Sequence, residues 1–86
     1  MNVREVDPRD QRWAVNWPDY RVYFYDSNGS TFEYELGGAD VVEVLQWAEA
    51  QEKMRAFVVY ACVRRDGLGL VRLTGEDPND PRPEAK

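Results

Sequence analysis

Histidine is absent from this 86-residue chain, and cysteine occurs once, at Cys62. Without imidazole there is no Ser–His or Cys–His nucleophile pair, no imidazole proton shuttle and no His-based zinc site. A lone thiol forms no internal disulfide, which excludes a disulfide-stapled secreted scaffold. Long apolar runs are missing as well. Nothing approaches the roughly 20 residues of a membrane span, and the opening Met1-Asn2-Val3-Arg4-Glu5-Val6-Asp7 does not read as a signal peptide. Basic residues number 11 against 16 acidic ones, a net charge of −5 that argues against non-specific binding to a phosphate backbone. These absences predict a small, acidic, soluble cytoplasmic protein with no membrane contact, no metal and no cofactor.

What is present suits one folded domain. The chain is 43% hydrophobic and 31% charged, and its length buries roughly 60–65% of the surface an unfolded chain exposes. The acidity is concentrated at the ends. Residues 75–86 carry Glu76, Asp77, Asp80 and Glu84 against Arg82 and Lys86, while residues 11–74 are close to balanced. Three prolines and no large apolar side chain fall in that last segment, so it is expected to be a mobile acidic tail. Residues 1–10 lack periodicity and are expected to be a flexible arm, leaving 11–74 as the single domain.

The first half of the domain reads as a three-stranded meander. Trp13, Val15 and Trp17 alternate with Arg12, Ala14 and Asn16, and Pro18-Asp19 supplies a turn. Residues 20–25 form a second strand, Asp26-Ser27-Asn28-Gly29-Ser30 a hairpin loop, and residues 31–36 a third strand. Pairing across the second turn sets Phe24 opposite Phe32, Val22 opposite Tyr34 and Tyr20 opposite Leu36. Pairing across the first sets Trp17, Val15 and Trp13 opposite Tyr20, Val22 and Phe24. All of these share one face. The other face receives Arg21 with Glu35, Tyr23 with Glu33, Tyr25 with Thr31, and Arg12 beside Tyr25.

Asp40 is a candidate helix N-cap, with Glu43 at capping-box spacing. Val41, Val44, Leu45 and Ala48 then form one apolar helical stripe, expected to end near Gln51–Lys53. Phe57 to Val63 is a continuous β-prone run, Asp66-Gly67 is a type I′ turn signal, and residues 68–74 return as a strand. A two-residue turn sets Val58, Tyr60 and Cys62 on one face with Val71 and Leu73. Phe57, Val59, Ala61 and Val63 then share the other with Leu68, Leu70 and Arg72. The predicted architecture is a two-layer α+β fold, β-β-β-α-β-β. It has five antiparallel or mixed strands and one helix on the Trp13/Trp17/Phe24/Phe32 face.

The last hairpin carries the functional expectation. It is apolar on both faces, and a single helix covers only one. The remaining face calls for a second copy of the chain, giving a homodimer, or for another protein. The predicted role is a non-catalytic interaction module, either a dimerising accessory protein or an inhibitor- or immunity-like binder. Its contact residues are Phe57, Val59, Val63, Leu68 and Leu70, with Tyr23 and Tyr25 as secondary anchors. The alternative is a single-stranded nucleic-acid binder that stacks bases on Tyr23 and Tyr25 beside Arg12 and Arg21. Glu33 and Glu35 on that same face would repel phosphates, so nucleic acid is the weaker partner.

Other constellations have simpler readings. Cys62 lies mid-strand with no cation or helix N-terminus required beside it, as a small buried hydrophobe does. Residues 26–30 fail the spacing of a calcium loop. Arg64 and Arg65, near Arg72, are expected to solvate a hairpin tip. No nucleophile–base pair or phosphate loop can be named, so catalysis is not expected.

Overall fold

A computed structural model describes residues 1–51 and 56–78. Four strands and one helix follow in the order β1 (Tyr20–Tyr25), β2 (Thr31–Leu36), α1 (Val41–Glu49), β3 (Ala56–Arg64) and β4 (Leu68–Gly75). The strands form one antiparallel sheet in the order β2-β1-β3-β4. Since β2 and β3 both run antiparallel to β1, they are parallel to each other, and α1 links them across β1.

The β1–β2 hairpin has the register predicted from its alternation, Tyr20↔Leu36 through Tyr25↔Thr31. Its loop is held by one side chain. Asp26 Oδ1 accepts the N–H groups of Asn28 and Ser30 at 2.9 and 2.8 Å, and Gly29 supplies the left-handed backbone at φ 82°. The helix also starts as its sequence indicates: Glu43 accepts the Asp40 N–H at 3.1 Å, the glutamate arm of a capping box. It ends at Glu49, earlier than expected, with the Gln51 side chain donating to the Trp47 carbonyl at 3.0 Å. Lys53 lies outside the described residues, as does the tail beyond Pro78.

The core lies between α1 and one sheet face. Tyr20, Val22 and Phe24 of β1 and Val59 of β3 meet Val44 and Ala48 of the helix. Trp47 closes an aromatic triangle, 5.5 Å from the Phe24 ring and 5.5 Å from the Tyr34 ring, with Phe24 and Tyr34 5.8 Å apart. Edge-on rings at these distances add about 0.5–1.5 kcal/mol per pair beyond burial.

Three expectations are corrected. The sheet has four strands, not five, because residues 11–17 form no strand and are exposed throughout. The positions beside β1 that the alternation assigned to Trp17, Val15 and Trp13 are taken by Ala61, Val59 and Phe57 of β3. The physical reason is that this slot is interior. A strand there needs apolar side chains on both faces, and β3 provides them, with Val58 and Val59 both fully buried. Residues 11–17 would present Arg12 and Asn16. In consequence, the helix packs over Phe24 but not over Trp13 or Trp17, which are 51% and 69% exposed.

The third correction is the β3–β4 register. Asp66 and Gly67 both have positive φ, at 54° and 106°, but the ladder closes one residue earlier than a two-residue turn would. Arg65 joins the loop, and the pairs run Arg64↔Leu68, Cys62↔Leu70, Ala61↔Val71 and Tyr60↔Arg72. A one-residue slip turns every side chain to the opposite face. A bulge between Val59 and Tyr60 then restores the predicted register, so that Val59 meets Thr74 and Val58 meets Gly75. Gly75 has φ 90°, and a Cβ there would stand 2.2 Å from the Phe57 carbonyl oxygen, so only glycine lets β4 end against β3.

Phe24→Ala is expected to cost about 3–5 kcal/mol, a large share of the roughly 5–15 kcal/mol that keeps a small domain folded. Trp17→Ala is expected to stay within about 0.5 kcal/mol of wild type. Urea denaturation followed by circular dichroism measures both. A Trp17→Ala loss equal to that of Phe24→Ala would return Trp17 to the helix-covered face.

Candidate interaction surface

The register divides the predicted contact residues between two faces. Phe57, Val59 and Val63 lie on the helix side with Val71. Val59 is fully buried in the core and unavailable to a partner in this fold, while Phe57 packs against the core and is half-buried. Val63 is half-buried on the same side. Leu68 and Leu70 lie instead on the opposite face, with Cys62, Tyr60, Tyr23 and Tyr25. The expectation that Phe57, Val59 and Val63 share a face with Leu68 and Leu70 is thereby corrected, through the extra loop residue Arg65.

The face away from the helix is partly satisfied within the chain. Val58 and Cys62 are buried there, and the Tyr23 and Tyr60 rings meet edge to face at 5.3 Å. Arg72 reaches along the strand and donates to the Gly75 carbonyl at 2.8 Å. Burial, with the Asp77 carboxylate close by, pushes the Tyr25 hydroxyl above its ordinary 10.0. The segment after β4 therefore returns beside Tyr25, and Asp77 is half-buried.

At the other end of this face runs a chain of ion pairs. Glu35 Oε1 accepts Arg21 Nε and Arg64 Nη2, each at 3.2 Å, and Arg64 Nη1 lies 3.4 Å from Asp19 Oδ2. The Arg21 hydrogen bond, with the charge of Arg64 behind it, holds Glu35 below its ordinary 4.5. The same bond raises Arg21 above its ordinary value. Exposed pairs of this kind contribute little to stability individually; here they tie β1, β2 and β3 together. Arg12, placed beside Tyr25 by the alternation, lies instead in the segment outside the sheet. Arg21 stays on the tyrosine face, bonded to Glu35 and to the Tyr23 side chain, so of the groups in the nucleic-acid reading only Arg12 is displaced.

The two sheet edges differ in character. β2 carries Glu33 and Glu35, whose charges disfavour the approach of another strand. β4 carries Leu68, Leu70, Val71 and Leu73, which are 43%, 36%, 51% and 42% exposed, and Arg72 is its single charge.

On the helix side, beyond the reach of α1, the segment before β1 passes over β3 and β4. Trp13, Val15 and Pro18 form one wall of a cleft of about 650 Å3, with Ala61, Val63 and Val71 opposite. The Arg65 guanidinium lies over the Trp13 ring, 5.0 Å from its centroid. The Cys62 N–H donates to the Asp19 carbonyl at 2.9 Å, where the segment joins the sheet. The alternation of Trp13, Val15 and Trp17 was the only sequence signal of this wall, and it reads equally as a strand.

Among the described residues no three His, Cys, Asp or Glu side chains are grouped to hold a metal ion, and no helix is long and apolar enough to cross a membrane. Comparison with protein-family models, curated proteins and solved structures finds no match to this chain.

Glu35 contributes stability that is complete above 4.5, the ordinary carboxylate value, and is lost as pH falls through its lowered folded-state value. Glu35→Gln is therefore expected to be less stable than wild type at neutral pH, with the gap narrowing as pH falls below 4.5. Urea midpoints across that range check it. A gap that stays constant would mean the ion pairs do not favour the charged carboxylate in the folded state.

Proposed function

We propose that this chain is a non-catalytic protein-interaction module, a dimerising accessory protein or a small inhibitor-like binder, that makes contact through β4. The observation that carries this reading is the asymmetry between the two sheet edges. An outer strand presents a row of backbone N–H and C=O groups to an incoming strand, and natural edges are usually blunted by charge, proline or a cover. β2 is blunted by its glutamates; β4 leaves its apolar side chains exposed on both faces of an eight-residue strand. Strand addition to such an edge uses main-chain hydrogen bonds for affinity and the alternating side chains for selectivity. Leu68 and Leu70 would flank the added strand on the tyrosine face and Val71 on the helix side. Tyr23 and Tyr25, two strands away, are secondary contacts for a partner that extends over the sheet.

Self-association is the first test. Light scattering behind size exclusion, over a hundredfold range of concentration, is expected to show a mass rising from 10.0 kDa toward twice that value. Leu70→Glu should remain monomeric with an unchanged circular dichroism spectrum, while Phe32→Glu on the opposite edge should associate like wild type. A monomer at every concentration would remove the dimer and leave a foreign partner. A Leu70→Glu variant that still dimerises would move the contact away from β4.

A further inference from the structure

We propose that the cleft between Trp13–Pro18 and the helix side of β3–β4 binds a small hydrophobic carboxylate, of the medium-chain fatty-acid class. The alkyl chain would lie between Val15, Val63 and Val71, with the carboxylate on Arg65. This proposal does not rest on the interaction reading.

The volume and the walls set the first part of the ligand's chemistry. About 650 Å3 falls within the roughly 300–1,000 Å3 of small-molecule sites. Apart from its arginines, the lining is made of aliphatic and aromatic side chains, proline and Cys62. Such walls favour an apolar body over a sugar or a nucleotide, whose hydroxyl and phosphate groups would lose water without gaining partners.

Charge sets the second part. Arg21 and Arg64 are matched by Glu35 and Asp19, two cations against two carboxylates in one chain of contacts. Arg64 touches the cleft, but its guanidinium is engaged by those two acids. Arg65 is different. It sits in the hairpin loop, its guanidinium lies over Trp13, and among the described residues no carboxylate pairs with it. An arginine stacked on an indole keeps the edge of its planar fork available, and that fork matches a carboxylate with two parallel N–H···O bonds. A neutral alcohol would leave this charge unanswered, and an alkylammonium would oppose it.

Titration calorimetry with decanoate, decanol and decyltrimethylammonium, all kept below micelle formation, tests the assignment. Wild-type protein is expected to bind decanoate at least tenfold more tightly than decanol, and the cation not at all. Arg65→Gln should weaken decanoate about tenfold while leaving decanol within twofold. Val15→Glu, at an exposed position away from β4, should abolish both. Circular dichroism establishes that each variant is folded. No binding by folded wild-type protein at about 1 mM decanoate, equal affinity for decanoate and decanol, or an Arg65→Gln variant that binds like wild type would each overturn the proposal.

Discussion

β3 has no polar side to offer water, and the remainder of the sheet is arranged around covering it. Its nine residues include Phe57, Val58, Val59, Tyr60, Ala61, Cys62 and Val63 in succession. At an edge, such a strand would leave apolar surface exposed on both faces. Between β1 and β4, Val59 closes the helix-side core while Val58 is buried on the opposite face beneath the tyrosine layer. The free energy of covering these side chains outweighs the local preference of residues 11–17 to pair across the Pro18 turn, because only β3 matches an interior slot. Contacts between residues far apart in the chain thus displace a contact between neighbours, at some entropic cost of loop closure.

Once β3 is interior, the remaining features follow from what is left at the margins. β2 is an outer strand with glutamates toward solvent, and its Tyr34 ring packs toward Trp47. β4 is the other outer strand, and the helix does not extend over it. The segment that lost its place beside β1 passes across the helix side of β3 and β4. It supplies one wall of a cleft and is pinned by Arg65 on Trp13. The open edge and the cleft therefore share one origin: a four-stranded sheet one strand wider than its single helix covers.

Much of this was legible in the chain. The β1–β2 register followed from period-two alternation and a loop whose Asp26, Asn28 and Gly29 each have a local conformational job. The helix start followed from Asp40 and Glu43, and its buried stripe from Val44 and Ala48. The candidate contacts were legible only in part. Leu68 and Leu70 are exposed, whereas Val59 is core, and a single loop residue separates the two outcomes. Asp66-Gly67 signals a turn but does not specify whether Arg65 belongs to the ladder or to the loop. The bulge between Val59 and Tyr60, which sets the far register, carries no mark of its own in the sequence.

Local chemistry alone therefore determined the absence of imidazole and disulfide chemistry, the first hairpin with its face assignment, and the amphipathic helix. Each depends on residues within a few positions of one another, where alternation, capping and turn geometry act directly. Tertiary structure decided which strand lies beside β1, how β4 is registered and where Trp13 and Arg65 meet. Those outcomes are settled by competition. Two segments fit the same edge of β1 and two registers fit the same turn, and the choice between them depends on contacts across the whole sheet.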